Sequence, residues 1–309
     1  MSEIASVSIA RPLDEVADEL GRSFREYGFA VIRDHGIPAD LIAQAEALSK
    51  RFFALPEETK KAYKIQGGGG ARGYTPFGVE RAKDAEVHDL KEFWHVGREL
   101  PAGHPLAEYM ADNVWPTEVQ GFRETFTALY AAFEKAGERV LEAIALHLGL
   151  ERDYFKATVE DGNSVMRLLH YPPLDGPHAE GAIRAAAHGD INTITLLLGA
   201  EEAGLELLNA QGQWQAIDVP EGALVVNIGD MLDRLTNHRL RSTQHRVVNP
   251  RGEAAYRSRY SMPFFLHFRP DFMIETLPGC IDPAHPEDHP APISSHEFLQ
   301  QRLREINLA

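Results

Sequence analysis

His188-Gly189-Asp190 sets an imidazole and a carboxylate two residues apart, a spacing that in extended chain turns both side chains to one face and within reach of one ion. A His-x-Asp of this kind is expected about once by chance in so histidine-rich a chain, so its surroundings decide its weight. Two comparable tripeptides, His178-Ala179-Glu180 and His285-Pro286-Glu287, sit in Pro-rich or Gly-rich sequence with no strand pattern behind them. Asp190 instead runs into Ile191-Asn192-Thr193-Ile194-Thr195-Leu196-Leu197-Leu198, which reads as a buried strand. A third ligand-type residue, His245, stands at the entry to another β-type run in Ser242-Thr243-Gln244-His245-Arg246-Val247-Val248. Two imidazoles and one carboxylate on one face leave three adjacent coordination positions open, the arrangement with which iron(II) takes up a cosubstrate and dioxygen together. Zinc more often takes a closed tetrahedral set or a His-rich catalytic one. Each histidine alone would more readily be read as a hydrogen-bonded strand-end residue; the constellation carries the reading.

Arg259-Tyr260-Ser261 lies in the run Tyr256 to Phe265, where alternation puts Arg259 and Ser261 on one face and Tyr260 on the other. A guanidinium and a hydroxyl so placed can clamp a carboxylate, because arginine meets both oxygens in a planar fork. An arginine turned into a protein interior requires an anionic partner. The plain alternative is a surface arginine beside a strand.

These residues need elements to carry them. Leu13, Val16, Ala17, Leu20 and Phe24 recur at helical spacing, and Gly28 then opens the apolar run Phe29-Ala30-Val31-Ile32, so a helix followed by a strand is expected. A second helix should run from Pro38 to Phe53 and a short one from Glu57, making the N-terminal third mainly helical. Gly67 to Gly70, an unbroken glycine run, predicts a flexible loop. Phe122, Phe126, Leu129, Phe133, Val140, Leu141, Ile144 and Leu148 mark one apolar stripe on a long helix or two abutting ones. After Val165 the pattern changes to short β-type runs: Val165 to Tyr171, Asn192 to Leu198, Leu205 to Leu208, Ala223 to Ile228, Gln244 to Val248 and Tyr256 to Leu266. Many short strands after a helical block suggest a jelly-roll sandwich or barrel with helices packed outside. The stretch from Pro278 to Pro292 reads as loop, and Ser294 with Glu297 forms a capping box for a last helix.

Composition narrows the class. The 309 residues are 44% hydrophobic and 25% charged, an ordinary globular balance able to bury a core. A formal net charge of -15 repels phosphate backbones and anionic membranes, so neither nucleic acid nor membrane is an expected partner. A single cysteine, Cys280, cannot form an internal disulfide or a thiolate metal cluster, which leaves His and carboxylate ligands and points to a reducing, cytoplasmic setting.

In order along the chain, His188-Gly189-Asp190, Gly222-Ala223-Leu224-Val225-Val226-Asn227-Ile228-Gly229-Asp230, Ser242-Thr243-Gln244-His245-Arg246-Val247 and Arg259-Tyr260-Ser261-Met262-Pro263-Phe264-Phe265 resemble the isopenicillin N synthase-like branch of the 2-oxoglutarate and iron(II) dependent dioxygenases. The segments Gly28-Phe29-Ala30-Val31-Ile32-Arg33-Asp34-His35-Gly36-Ile37 and Asp89-Leu90-Lys91-Glu92-Phe93-Trp94-His95-Val96-Gly97 extend the resemblance over nearly the whole chain. It implies a mainly β fold with helical additions (α+β): a distorted double-stranded β-helix, or jelly-roll, core with a helical N-terminal region. The implied divisions are 1–115 for that region, 116–160 for scaffold helices, 161–275 for the oxygenase core and 276–309 for a terminal loop and helix. It further implies Fe(II) on His188, Asp190 and His245, 2-oxoglutarate held by Arg259 and Ser261 with Tyr171 beside them, and dioxygen plus a small-molecule substrate as the other reactants. Two departures stand out. Leu169-His170-Tyr171-Pro172 lacks the asparagine of the family's Asn-x-Tyr-Pro, and Asn237-His238 stands where relatives often have Asn-Gly.

Hydroxylation with release of succinate and CO2 is the expected outcome. The alternatives are an oxidase whose Arg-x-Ser pair holds the substrate's own carboxylate, and a non-catalytic jelly-roll binder of a small carboxylate. Tyr74, Phe77, Lys91, Phe93 and Trp94 are candidates to face the substrate, and Arg184 offers either a cation to an acidic substrate or a surface charge.

Overall fold

The structure, a computed structural model, describes residues 4–65, 71–80, 87–174, 181–198 and 204–305. The glycine run Gly67 to Gly70 and the tripeptide His178-Ala179-Glu180 lie outside the described residues. The chain opens with β1 (Ser6–Ser8), α1 (Leu13–Tyr27), β2 (Phe29–Arg33), α2 (Ala39–Phe53), α3 (Glu57–Lys61), β3 (Gly73–Thr75) and β4 (Glu92–Gly97). It continues through α4 (Phe122–His147), α5 (Lys156–Val159), β5 (Val165–Tyr171), β6 (Ala185–His188), β7 (Ile194–Leu198), β8 (Leu205–Leu208), β9 (Trp214–Ala216) and β10 (Leu224–Ile228). Last come α6 (Asp230–Leu235), β11 (His245–Val247), β12 (Arg259–Leu266), β13 (Met273–Ile274), β14 (Ile293–Ser294) and α7 (Ser295–Glu305).

Local sequence accounts for the element ends. Pro12 precedes α1, Asp14 and Glu15 occupy its first turn, and Gly28 closes it in the left-handed region at φ 70°, which releases the chain straight into β2. The expected capping box closes reciprocally: the Glu297 N–H donates to Ser294 Oγ at 3.1 Å, and the Ser294 N–H to Glu297 Oε2 at 3.3 Å. The apolar stripe from Phe122 is carried by one helix of 26 residues.

Eight strands form a large sheet in the order β1-β2-β10-β7-β12-β5-β4-β3, and β6-β11-β8-β9 form a smaller one. Alternation along each strand divides the core in two. On one face of the large sheet Leu196, Val226 and Phe264 pack with Leu20, Phe24, Phe126 and Phe133 of α1 and α4, and Phe133 stacks on Phe264 with ring centroids 5.2 Å apart. On the other face Phe29, Val31, Val225 and Leu197 meet Leu205, Leu207 and Val247 of the smaller sheet. This is the jelly-roll sandwich with helices outside.

The N-terminal third carries the expected helices α1, α2 and α3 and strand β2, and beyond these it contributes β1, β3 and β4, so that its strands supply half of the large sheet. Strand β4 explains why the pattern is hard to read. All six residues are buried, yet Glu92 and His95 stand among them, and each has its partner elsewhere in the chain. Lys60 Nζ donates to Glu92 Oε2 at 2.8 Å, His170 Nδ1 lies 2.7 Å from Glu92 Oε1, and Tyr74 also donates to this carboxylate. A paired charge can be buried without an apolar alternation to announce it. The run expected from Tyr256 begins later, at Arg259, because residues Gly252–Tyr256 form a 3-10 turn.

Gly229 joins β10 to α6, and a β-carbon there would stand 2.1 Å from the carbonyl oxygen of Asn192. That atom belongs to the backbone two residues beyond Asp190, so it has little freedom to retreat. Gly229→Ala is expected to cost about 1–3 kcal/mol, read as a lower urea midpoint at unchanged slope; an unchanged midpoint would show that this turn yields freely.

Candidate active site

His188 ends β6 and His245 begins β11, and the antiparallel register sets the two residues directly opposite each other. Their rings lie 4.5 Å apart at 51°. Asp190 follows in the turn before β7, and its Oδ1 is 3.9 Å from Nε2 of each histidine. One donor atom from each of the three lies within 4.8 Å of the others.

The remaining polar atoms of these side chains are already occupied. His188 Nδ1 is 2.7 Å from the Ala186 carbonyl and His245 Nδ1 is 3.2 Å from that of Thr243; a carbonyl only accepts, so Nδ1 carries the proton and the Nε2 lone pair faces Asp190. Asp190 Oδ2 accepts from Thr195 Oγ1 at 2.5 Å and from Asn227 Nδ2 at 2.8 Å, which leaves Oδ1 directed at the imidazoles. Burial, together with the neighbouring His245, holds the His188 imidazole down at about 4. Burial raises the Asp190 carboxyl, but the two histidines and the Asn227 and Thr195 hydrogen bonds outweigh it and leave the group below its ordinary value. The cluster therefore offers two imidazole Nε2 atoms and one carboxylate oxygen, each oriented from behind. That donor set fits a divalent transition ion.

A cavity with about 570 Å³ of empty space, open to solvent, contains this cluster. Arg259, Ser261, Pro263 and Phe265 of β12 line it, as do Arg167, Leu169 and Tyr171 of β5, one face of each strand in alternation. The register pairs Arg259 with Tyr171 and Ser261 with Leu169. Arg259 donates from Nη1 to Ser261 Oγ at 3.3 Å and lies 5.1 Å over the Tyr171 ring. Arg184 is not a surface charge: it is fully buried, donates to the Arg257 carbonyl and lies 5.8 Å over the same ring.

The candidates for facing the substrate divide by strand face. Lys91 lines the cavity, and Phe93 packs beside Leu169 and Tyr171. Trp94 and Tyr74 point instead into the helix-side core, and Phe77 is exposed. Sequence reading missed the charges around Lys91. Its ammonium is 2.7 Å from Glu80 and 2.8 Å from Asp89, and Asp89 in turn accepts the Ala186 N–H of β6 at 3.0 Å. Glu80 also pairs with Arg167 at 3.1 Å, and Arg167 lies 4.2 Å over the Phe93 ring while its Nε donates to His95. No local pattern signals this cluster, since its members are joined only by folding. Thr195 and Asn227 were visible only as parts of longer β-type runs.

Comparison with known proteins agrees with this geometry. Residues 162–268 match the 2OG-Fe(II) oxygenase superfamily, and residues 4–118 match the N-terminal family of non-haem dioxygenases in morphine synthesis. The 2-oxoglutarate-Fe(II) type oxidoreductase hxnY of Emericella nidulans is 35% identical over 297 residues, which is 93% of this chain and 83% of that protein. Among solved structures, a Caulobacter crescentus protein described as of the 2OG-Fe(II) oxygenase family is 56% identical over 99% of this chain and 100% of its own, with a TM-score of 0.91. A full-length Neurospora crassa protein, solved with alpha-KG and thymine, is 29% identical over 97% of this chain and 96% of its own, with a TM-score of 0.86.

The charges around Lys91 yield a pH-dependent outcome. Burial raises the Glu80 carboxyl, but Arg167 and Lys91 hold it well below the ordinary carboxylate range. Its contribution to stability is therefore complete above the unfolded value of about 4.3 and is lost as pH falls toward the folded value. Glu80→Gln should cost about 3–5 kcal/mol at neutral pH, because Arg167 loses its carboxylate and Lys91 keeps only Asp89, and the deficit should shrink below about pH 4. Urea unfolding of both proteins across pH measures this; a deficit independent of pH would remove the ion pairs as its cause.

Proposed function

The chain belongs to the 2OG-Fe(II) oxygenase superfamily and is a 2-oxoglutarate-dependent Fe(II) dioxygenase, and we propose that His188, Asp190 and His245 hold its iron while Arg259 and Ser261, with Tyr171 beside them, bind the distal carboxylate of 2-oxoglutarate. The observation that carries this is a single cavity in which three converging donor atoms and a buried guanidinium are presented from facing strands. Bound Fe(II) supplies dioxygen activation coupled to decarboxylation of 2-oxoglutarate to succinate and CO2, and so oxidises a small-molecule substrate. The protein's part is placement. Arg259 and Ser261 offer a charged fork and a hydroxyl to one end of the cosubstrate, and Leu169, standing where the family motif has asparagine, makes that wall apolar and excludes water. Thr195 and Asn227 keep Asp190 Oδ1 aimed at the ion.

Hydroxylation is the proposed outcome, and the substrate is proposed to bind against the wall formed by Lys91 and Arg167. Arg167 Nη2 has no hydrogen-bond partner among the described residues, and the guanidinium is held between the Phe93 and Phe265 rings, 4.2 and 5.4 Å away. A donor fixed in this way suits a small, flat molecule bearing a carbonyl or carboxylate acceptor. The thymine bound by the Neurospora crassa relative carries carbonyl acceptors of that kind.

Arg259→Leu is expected to raise the 2-oxoglutarate concentration needed for half-maximal succinate formation about 30-fold or more, as loss of a charge-assisted contact in a desolvated pocket costs on the order of 2–5 kcal/mol. Iron affinity, measured in parallel by anaerobic titration, should hardly change. Equal losses of both would dissociate Arg259 from the cosubstrate and point to a structural role. By contrast, Thr195→Val, which removes one hydrogen bond from Asp190, should weaken iron binding about 10–100-fold with the 2-oxoglutarate requirement unchanged at saturating iron; unaltered iron affinity would exclude Asp190 as a ligand held by Thr195.

A further inference from the structure

Asn237-His238, the departure noted in the sequence, lies outside the catalytic cavity and takes up an unusual conformation. Both residues have positive φ, 49° and 62°, in a region that side chains bearing a β-carbon seldom occupy. Asn237 is locked there: its Nδ2 donates to the carbonyls of His285 and Pro286 at 3.2 and 3.1 Å, and its Oδ1 accepts the Asp288 N–H at 3.1 Å. This lock brings the segment before β14 against the turn after α6 and sets Asp288 and His289 beside His238.

We propose that His238, Asp288 and His289 form a second metal site, separate from the catalytic one, that takes a borderline divalent ion such as Zn2+. Asp288 Oδ2 is 3.2 Å from His238 Nε2 and 3.4 Å from His289 Nε2. With bonds of about 2.0–2.1 Å, tetrahedral zinc spaces neighbouring ligand atoms by about 3.3–3.4 Å, so two edges of the coordination figure already have the right length. The third closes within 4.8 Å, and the two rings are inclined at 64° rather than stacked. His238 Nδ1 is hydrogen-bonded to the Asp233 carboxylate, the backing that orients a metal-binding imidazole and turns its Nε2 toward Asp288. Two imidazoles select Zn2+ and its neighbours over Ca2+ or Mg2+, which prefer oxygen. Two carboxylates, Asp233 and Asp288, face the cluster; the opposing cation is Arg234, whose Nη2 is committed to the Ala291 carbonyl at 2.8 Å. All three ligands are reachable from solvent, with side-chain exposures of 49%, 63% and 32%.

Such an ion acts as a brace. The other oxygen of Asp233 accepts the Ser242 N–H, three residues before His245, and the first residue of α6 donates its N–H to the Asp190 carbonyl at 2.8 Å. Pinning the 281–292 segment to this turn therefore stiffens the chain behind two of the proposed iron ligands.

The test uses full-length protein freed of metal and titrated with Zn2+ and, separately, with Co2+. His238→Asn is the informative variant, because asparagine tolerates the left-handed turn while removing the imidazole; His289→Asn is its independent counterpart. Each should bind one equivalent of Zn2+ less than wild type, lose the intense visible absorption of tetrahedral Co2+, and show a smaller Zn2+-dependent rise in melting temperature. His188→Ala, which alters the catalytic cluster, should retain that absorption, so failure at one site is read separately from failure at the other. Wild-type protein without tetrahedral Co2+ absorption, or variants that bind as much Zn2+ as wild type, would overturn the proposal.

Discussion

The carboxylate of Asp190 is the constraint around which the rest of the molecule is arranged. It is a buried anion, and an unpaired charge in such surroundings is too costly to persist. Thr195 and Asn227, from adjacent strands β7 and β10, satisfy one oxygen, and the opposing register of β6 and β11 sets two imidazoles across from the other. Each contact calls for a strand at a set height and a side chain on a set face. The seam between the two sheets is thus where their pairing registers, the turn at Gly229 and the start of α6 must all agree.

A second requirement follows from the cationic side chains in and behind the wall of the same cavity, where Lys91, Arg167 and Arg259 line it and Arg184 lies over the Tyr171 ring. Arg167, Lys91, Arg184 and Arg259 are all largely buried, and such a concentration of positive charge is tolerable only if anions are supplied. Glu80 and Asp89 answer Lys91 and Arg167 from within the chain. Arg259 and Arg184 both lie over the Tyr171 ring, beside the wall proposed to receive the carboxylate of 2-oxoglutarate.

The opposite face of the large sheet holds a further polar network, away from the residues that line the cavity. Glu92 gathers Lys60, Tyr74 and His170, and His170 stacks on Tyr260 with ring centroids 4.7 Å apart. His170 and Tyr260 are cross-strand partners, one position from Tyr171 and Arg259. The network thus fastens β4, β5 and β12 together directly behind the pair proposed to hold 2-oxoglutarate. Such a lattice rigidifies only when every member is satisfied, which is why it links residues so distant in sequence.

What the sequence determined by itself is whatever a strand or helix period can express. Alternation was enough to put Arg259 and Ser261 on one face, two-residue spacing to bring His188 and Asp190 together, apolar periodicity to draw α1, α2 and α4, and turn chemistry to cap α7. The order of the four motifs was enough to suggest the family. Tertiary structure decided what depends on partners far apart in the chain: that β4 is a buried strand despite its charges, that Arg184 is interior, that Trp94 and Tyr74 turn away from the cavity while Lys91 turns into it, and that His238 meets His289. The physical reason is the same in each case. Apolar burial leaves a local periodic trace because one element faces one core, whereas a buried charge or a ligand cluster is stabilised by a specific partner whose position only the completed fold provides.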